Sequence, residues 1–205
     1  LGWREVEVHP EEIGDIAREV LPTIRQVFIG RGDKTGAEQL ELKLLVIRKR
    51  VEHTINADHP EHADFFHIPS LSARTLVYKG LLLAEQVPAF YPDLNDPDMV
   101  SALALVHQRF STNTHPTWPL AQPFRNIAHN GEINTIQGNH YMLRAREAAM
   151  ESEVFGDDLD KLFPTIEEGL SDSASLDAAI ELLTAGGRSL PHVMMMLIPE
   201  AWSTD

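Results

Sequence analysis

Residues 107–135 read HQRFSTNTHPTWPLAQPFRNIAHNGEINT and contain most of the side chains in this sequence that suggest chemistry. The planar guanidinium of Arg109 can donate two parallel hydrogen bonds to a carboxylate, and Thr112 follows three positions later. The side-chain amide of Asn130 and the backbone N–H of Gly131 are adjacent donors of the kind that stabilise an oxyanion. Glycine also lets the backbone approach a ligand closely, because it has no Cβ.

A carboxylate that Arg109 could bind is found in every free amino acid. If the ligand is an amino acid, its α-ammonium group needs an anion as a partner. Asp172 is the candidate, since it lies in a Ser-Asp-Ser cluster at a predicted helix start. Together these residues provide what an amide-hydrolysing site requires, except a nucleophile. The chain has no cysteine, which excludes disulfides, thiolate metal sites and a cysteine nucleophile within these 205 residues.

Each of these residues also has a purely structural interpretation. An arginine at a strand end usually faces solvent, Asn-Gly is a common turn dipeptide, and an aspartate at a helix start often only caps the helix. Four histidines could suggest a general base or a metal ligand, although each taken alone is more typical of a hydrogen-bonded histidine in the core or at its rim. These are His107, His115, His129 and His140.

The pattern of apolar residues predicts the elements that would position the site. A strand over residues 99–110 is expected to deliver Arg109, and a shorter strand over 127–129 to deliver Asn130 and Gly131. A helix is predicted from 132 to about 151, followed by an acidic loop over 151–160. A capped helix is predicted to begin at residues 171–173 and to end at Gly186 and Gly187, before a last apolar helix around Met194 to Met196.

The N-terminal half predicts further strands and helices. Strands are expected over residues 3–8, 24–29 and 42–47, with two more within 66–83, and helices over 10–21 and 48–57. Strands in groups with helices outside them predict an α+β fold, and we expect residues 1–205 to form a single domain.

Composition excludes several classes of function. Thirty-one acidic against 17 basic residues give a formal charge of -14, which disfavours a nucleic-acid partner because such a groove needs a basic field. No stretch reaches the length of a membrane span, and the N-terminus has no signal-peptide pattern, so we expect no membrane partner and a cytoplasmic location.

Two further motifs have competing interpretations. GRGDKTG at residues 30–36 could be a phosphate loop or an Arg-Gly-Asp adhesion motif, but it lacks Gly-Lys-Ser/Thr and fits a surface turn better. Four histidines between residues 53 and 67 could bind a metal, yet no two have the helical spacing of a zinc-binding pair. A solvated loop is the better interpretation, and we predict no metal site.

HQRFSTNTHPTWPLAQPFR followed by HNGEINTIQGN resembles the class II glutamine amidotransferase domain of glutamate synthases. SLSARTLVYKGLL at residues 70–82 is similar to the central hairpin of that domain, and LSDSASLD at 170–177 to its later substrate-binding turn. GWREVEV near the start and PEAW near the end fit the same family, so the resemblance covers nearly the whole chain.

The resemblance implies a residue-by-residue assignment. Arg109 would hold the α-carboxylate of glutamine with Thr112 lining the same pocket, Asp172 would hold the α-ammonium, and Asn130 with Gly131 would form the oxyanion hole. The implied fold is the N-terminal-nucleophile hydrolase fold, a four-layer αββα sandwich of antiparallel sheets.

The resemblance also implies partners and cofactors beyond this segment. The substrate would be L-glutamine, and the ammonia released would serve glutamate formation from 2-oxoglutarate in downstream synthase domains of the same polypeptide. Those domains would carry FMN and an iron–sulfur cluster, with none in this segment, and electrons would come from a small electron-donating subunit or ferredoxin.

The sequence departs from the family pattern in its nucleophile. The family nucleophile is an N-terminal cysteine, whereas this sequence begins with Leu1 and contains no cysteine. We therefore expect an internal fragment that lacks the first strands and does not turn over glutamine alone. The alternatives are a degenerate, non-catalytic domain that binds an amino acid or packs against a partner, and another class II amidotransferase, which the NTHPTWPLAQPFR insert disfavours.

Overall fold

The structure is a computed structural model that describes residues 1–33, 35–63, 65–109, 115–129, 133 and 136–198. Its sheet is an antiparallel pair of strands, β1 (Gly2–Glu5) and β2 (Arg25–Phe28), in which Gly2 is opposite Phe28 and Glu5 is opposite Arg25. The strands predicted over 3–8 and 24–29 are confirmed, although β1 is shorter than predicted. The helix predicted over 10–21 is divided into a 3₁₀ turn, Pro10–Glu12, and a short helix, α1 (Asp15–Glu19).

The longest element is α2 (Ala37–Asp58), and it overturns the strand predicted over residues 42–47. A short apolar run does not by itself distinguish a buried strand from a buried helix face. Leu44, Leu45, Arg48 and Lys49 are all buried, which is the spacing of one face of a helix rather than the alternation of a strand. The charged helix predicted over 48–57 is the second half of α2, and a short helix, α3 (Pro60–Ala63), follows it.

The strands predicted within 66–83 and over 127–129 are wrong, because both segments are described and neither contains a strand. Residues 99–109 are also without strand structure, and residue 110 lies outside the described residues. Strand-forming side chains need a pairing partner, and here side chains bind part of the backbone instead. Ser70 Oγ accepts a hydrogen bond from the Val77 N–H at 3.3 Å, for example.

The remaining helices are α4 (Gln86–Phe90), α5 (Ile136–Glu147), α6 (Asp172–Ala185) and α7 (Leu190–Leu197). The predictions of α5, α6 and α7 are confirmed, although α5 ends at Glu147 rather than near residue 151, and residues 132, 134 and 135 of its predicted start lie outside the described residues. The acidic loop predicted over 151–160 is partly wrong, since Gly156–Leu162 is a 3₁₀ helix, and a further 3₁₀ turn is Pro92–Asn95.

Two apolar clusters hold these elements together. One cluster lies between the β1–β2 pair and α4. It contains Val6, Ile13, Ala17, Phe90, Tyr91 and Trp118. The other lies between α2, the 156–162 turn and α6. It contains Leu45, Val46, Phe155, Leu159, Leu162 and Leu182.

The described residues thus form a helix-rich arrangement with a small antiparallel sheet, which is consistent with the predicted α+β class. The four-layer sandwich is not confirmed by these elements. Among the described helices, none combines the length and the apolar character that crossing a membrane requires.

Candidate active site around the start of α6

The start of α6 is built by two neighbouring side chains with different tasks. Ser171 is the N-cap, and its hydroxyl accepts a hydrogen bond from the Ala174 N–H at 3.2 Å. Asp172 is the first helical residue, where the helix dipole favours a negative charge. Because Ser171 supplies the cap, capping alone does not account for the aspartate.

The Asp172 carboxylate joins α6 to the segment that carries the HNGEI sequence. Its Oδ2 accepts from the Ile133 N–H at 2.8 Å, and its Oδ1 accepts from the Ser173 N–H at 2.6 Å. Burial raises the pKa of Asp172, but the hydrogen bonds from Ile133 and Ser173 outweigh it, so that the pKa lies below its ordinary value. The carboxylate is therefore held in its charged form, as binding an ammonium group requires.

His129, which directly precedes Asn130, is held by the buried side chain of Gln122. The Gln122 amide nitrogen donates to the His129 carbonyl at 2.8 Å, and the His129 N–H donates to the Gln122 amide oxygen at 2.6 Å. The primary amide thus pairs with the backbone of His129 as a neighbouring strand would. The His129 ring lies 3.4 Å from the hydroxyl of Ser173 on α6, between Nδ1 and Oγ.

Asp177, one and a half turns into α6, binds the loop that leads to His129. Its carboxylate accepts from three consecutive backbone N–H groups, those of Arg125 at 3.2 Å, Asn126 at 2.7 Å and Ile127 at 3.1 Å. The residue is only 1 % exposed. Burial raises the pKa of Asp177 above its ordinary value in spite of these hydrogen bonds.

A network of charges around the buried Arg48 fixes α6 against α2, and its other members are partly buried. Arg48 is 2 % exposed and binds Glu52 on its own helix, with Nη1 to Oε2 at 2.8 Å, as well as Glu181 on α6. Arg125 also reaches Glu52, at 3.2 Å from Nη2 to Oε1. Buried charges of this kind are tolerated only when they are paired, so the network fixes the two helices and the 125–127 loop in one arrangement.

The predicted site residues have different outcomes. Asp172 binds the Ile133 N–H and its neighbour Ser173 lies against His129, and these two partners are the described residues nearest in sequence to Asn130 and Gly131. Arg109 is exposed, and its backbone N–H donates to Nδ1 of His107 at 3.0 Å. Thr112, Asn130 and Gly131 lie outside the described residues, so the roles assigned to all five residues stay predictions.

Sequence reasoning did not assign Gln122 or Asp177 to the site. Asp177 gave a signal that could have been used, since it lies on the same helix face as the buried Ala174 and Ile180. An aspartate on an apolar helix face implies a buried hydrogen-bonding partner. Gln122 gave no comparable signal, because its task depends on the path of the chain around His129.

A groove of about 230 Å³ lies between α5 and residues 164–169. Its lining includes His140, Tyr141, Arg144 and Glu167, but neither Arg109 nor Asp172. It approaches α6 through His140, whose Nε2 lies 3.0 Å from the Ser175 hydroxyl. Within the described ranges, histidines and acidic residues form no group of three or more that is suited to a metal ion.

Comparison with known proteins identifies the family of this sequence. A family model described as class-II glutamine amidotransferases matches residues 1–205. The chain is 48 % identical over 204 residues to the glutamate synthase [NADPH] large chain of Azospirillum brasilense and 52 % identical over 206 residues to that of Bacillus subtilis. It is 43 % identical over 202 residues to the chloroplastic ferredoxin-dependent glutamate synthase of Oryza sativa.

These alignments cover 100 % of this chain but 13 % of the two bacterial relatives, and 98 % of this chain but 12 % of the rice relative. The chain thus spans about an eighth of the length of the proteins that it matches. Since the family model covers every residue and the identities are high, the chain belongs to the class-II glutamine amidotransferase family.

Proposed function

We propose that this chain is the glutamine-binding and amide-hydrolysing portion of a glutamate synthase. Family membership supports the reaction, and the names of the relatives support the parent enzyme. The observation on which the site depends is the bond between the Asp172 carboxylate and the Ile133 N–H, because it joins the Ser-Asp-Ser turn to the HNGEI segment. Two blocks that are 39 residues apart are brought together by this hydrogen bond, which supports the proposal that they serve one site.

The residues then take complementary roles toward one glutamine molecule. Arg109 binds the α-carboxylate beside Thr112, and Asp172 binds the α-ammonium. A cysteine thiolate attacks the side-chain amide carbonyl, and Asn130 with Gly131 donates hydrogen bonds to the oxyanion. The C–N bond then breaks as the leaving nitrogen takes up the proton that the thiol lost, ammonia leaves, and water hydrolyses the resulting thioester to glutamate and the free thiol.

The thiolate must come from outside these 205 residues, because they contain no cysteine. The iron–sulfur cluster proposed for the synthase portion must also be bound outside these residues, since such clusters are held by cysteine thiolates. We assign that cluster, and FMN, to further domains of a longer polypeptide that form glutamate from 2-oxoglutarate. A small electron-donating subunit or ferredoxin is the proposed electron source, and the cytoplasm is the proposed location.

We also propose that residues 1–205 form a single domain that contributes to the four-layer αββα sandwich of the N-terminal-nucleophile hydrolases. The exposed apolar segment over residues 100–106 supports this proposal, with Val100 87 % and Leu103 83 % exposed. In a sandwich these side chains would be covered by a second sheet.

Glutamine-dependent ammonia release tests the function. A longer protein that contains these residues and a processed N-terminal cysteine should release ammonia from L-glutamine, and the 205-residue chain should not exceed a blank without protein. Ammonia release by the 205-residue chain would contradict the role of the external thiolate. Glutamine binding without ammonia release by the longer protein would instead identify a non-catalytic binding domain.

Asp172→Asn tests the ammonium site. The variant should weaken glutamine binding at least about tenfold, since an ion pair with a partly buried carboxylate is lost. Asp160→Asn is a matched control, because Asp160 is exposed in the 156–162 turn. Calorimetric titration measures the affinity, and circular dichroism verifies that both variants are folded. Equal affinities for the two variants would reject the assignment.

A further inference from the structure

We propose that Asp177 is a positioning residue of the amidotransferase site, which fixes the backbone of residues 125–127 and thereby the chain that enters His129. The inference rests on the proposed function and goes beyond it, because Asp177 itself contacts neither the substrate nor a reacting atom. It acts through the loop that precedes the predicted oxyanion donors.

The contacts of Asp177 are backbone contacts that depend strictly on geometry. One oxygen, Oδ1, accepts from Asn126 and Ile127 at 2.7 and 3.1 Å, while Oδ2 accepts from Arg125 at 3.2 Å. Three successive N–H groups that converge on one carboxylate form an anion-binding concavity, which a regular strand does not provide. The loop is therefore shaped around the carboxylate.

The same helix supplies the next contacts along the chain. Ser173 reaches the ring of His129, and Asp172 binds the Ile133 N–H. Asp172 and Asp177 are separated by five residues, or about 7–8 Å along the helix at a rise of 1.5 Å per residue. One rigid element thus sets the distance between the proposed ammonium-binding carboxylate and the 125–127 loop.

Gln122 completes the arrangement from the side of the loop. It fixes both backbone polar groups of His129, at 2.8 and 2.6 Å, and it is itself buried. The chain is consequently held at 125–127 by Asp177, at 129 by Gln122 and at 133 by Asp172. Catalytic donors must be held to within about half an ångström, which anchoring on both sides of a short segment achieves.

The carboxylate at this position acts on the 125–127 loop, since three backbone N–H groups of that loop donate to it. Asp177 is almost completely buried, and burial of a charge is unfavourable even where hydrogen bonds compensate. An apolar side chain would fill the same space in α6, but it could not orient three N–H groups. The carboxylate at position 177 therefore serves to shape the 125–127 loop rather than to fill space in the core.

The test compares Asp177→Asn and Asp177→Ala in a longer protein whose wild type shows glutaminase activity. The asparagine variant can keep the Oδ1 contacts with Asn126 and Ile127, but its NH2 group, a donor, would replace the oxygen that accepts from Arg125. We expect kcat for ammonia release to fall about tenfold in Asp177→Asn and about a hundredfold in Asp177→Ala, with KM for glutamine changed less than about threefold. The reason is that misplaced oxyanion donors stabilise the transition state less, whereas the binding of the substrate in its ground state changes little.

Two controls separate positioning from folding. Asp160→Asn should leave kcat unchanged, and hydrogen exchange should show faster exchange of the Asn126 and Ile127 amides in Asp177→Ala. Should the alanine variant fail to fold, the asparagine variant decides. Unchanged kcat in a folded Asp177→Asn variant, or a rise in KM alone, would overturn the inference, whereas an inactive wild type would count against the proposed function.

Discussion

Glu167→Gln probes the cluster that fixes the loop before α6 to α2. The Glu167 carboxylate binds Lys49 Nζ at 3.2 Å and His53 Nε2 at 2.8 Å through Oε1, and it accepts from Asn56 at 3.3 Å through Oε2. Lys49 also donates to the Thr165 carbonyl at 3.2 Å. The loop that these contacts hold runs directly to Ser171 and Asp172.

The pKa of Glu167 gives the size of the stability loss expected in Glu167→Gln. Burial raises this pKa, but the hydrogen bond with His53 and the charge of Lys49 outweigh it and lower the pKa from 4.5 to about 2. At about 1.4 kcal/mol for each tenfold change, the full shift would correspond to about 3 kcal/mol. Because 21 % of the side chain is exposed, solvent screening reduces the expected loss in Glu167→Gln to about 1–2 kcal/mol at pH 7.

The dependence on pH follows from the direction of the shift. The folded-state pKa lies below the unfolded value, so the carboxylate contributes its full stabilisation above pH 4.5 and loses it as the pH falls toward 2. The free-energy difference between wild type and Glu167→Gln should therefore shrink at pH 3 to roughly half of its value at pH 7.

Urea unfolding followed by tryptophan fluorescence at pH 7 and pH 3 measures this difference. Glu168→Gln is the matched control, because the neighbouring Glu168 side chain is 97 % exposed and lies 4.0 Å from Arg144. We expect that control to change stability by less than about 0.5 kcal/mol at both pH values. An equal loss in the two variants, or a loss in Glu167→Gln that does not depend on pH, would refute the reasoning.

Three further predictions concern single positions. Gly80→Ala should destabilise the 205-residue chain by about 1–3 kcal/mol in urea unfolding, because its Cβ would overlap the Trp118 ring, 2.9 Å from Cη2; an unchanged midpoint would show that the ring moves freely. In the longer, active protein, Arg109→Lys should raise the KM for glutamine, since an ammonium cannot make the bidentate contact; an unchanged KM in steady-state kinetics would exclude the assignment. Asn130→Ala should lower kcat by about a hundredfold or more if its amide serves the oxyanion, whereas a change confined to KM would mark it as a ground-state binder.

The elements that the sequence predicted correctly are those governed by local signals. Ser171 and the glycines at 186 and 187 mark the ends of α6, and cap chemistry depends on residues within one turn. A strand was also predicted over residues 3–8 from the alternation of Val6 and Val8, but β1 is Gly2–Glu5, so its bounds follow from pairing with β2 rather than from that alternation. The RFSTNT and HNGEINT blocks identified the family, and the family model confirms that identification.

The predictions that were wrong concern segments whose secondary structure depends on contacts with distant parts of the chain, either side-chain packing or strand pairing. The apolar run over residues 42–47 suits either a strand or a helix, and packing against the 156–162 turn and α6 makes it part of α2. Strand-forming residues over 66–83 stay irregular in the structure, since local preference alone does not create a ladder of hydrogen bonds.

The sequence by itself determined the kind of chemistry, because that follows from residue types that recur in recognisable blocks. Only the tertiary structure decided which backbone groups the buried polar side chains bind. Asp177 binds the backbone of residues 125–127, Gln122 binds that of His129, and Asp172 binds the Ile133 N–H. Contacts of this kind join residues that are far apart in the chain, such as the 50 positions between Ile127 and Asp177. Their partners are backbone groups, which every residue type carries, so the sequence gives no sign of which groups will meet.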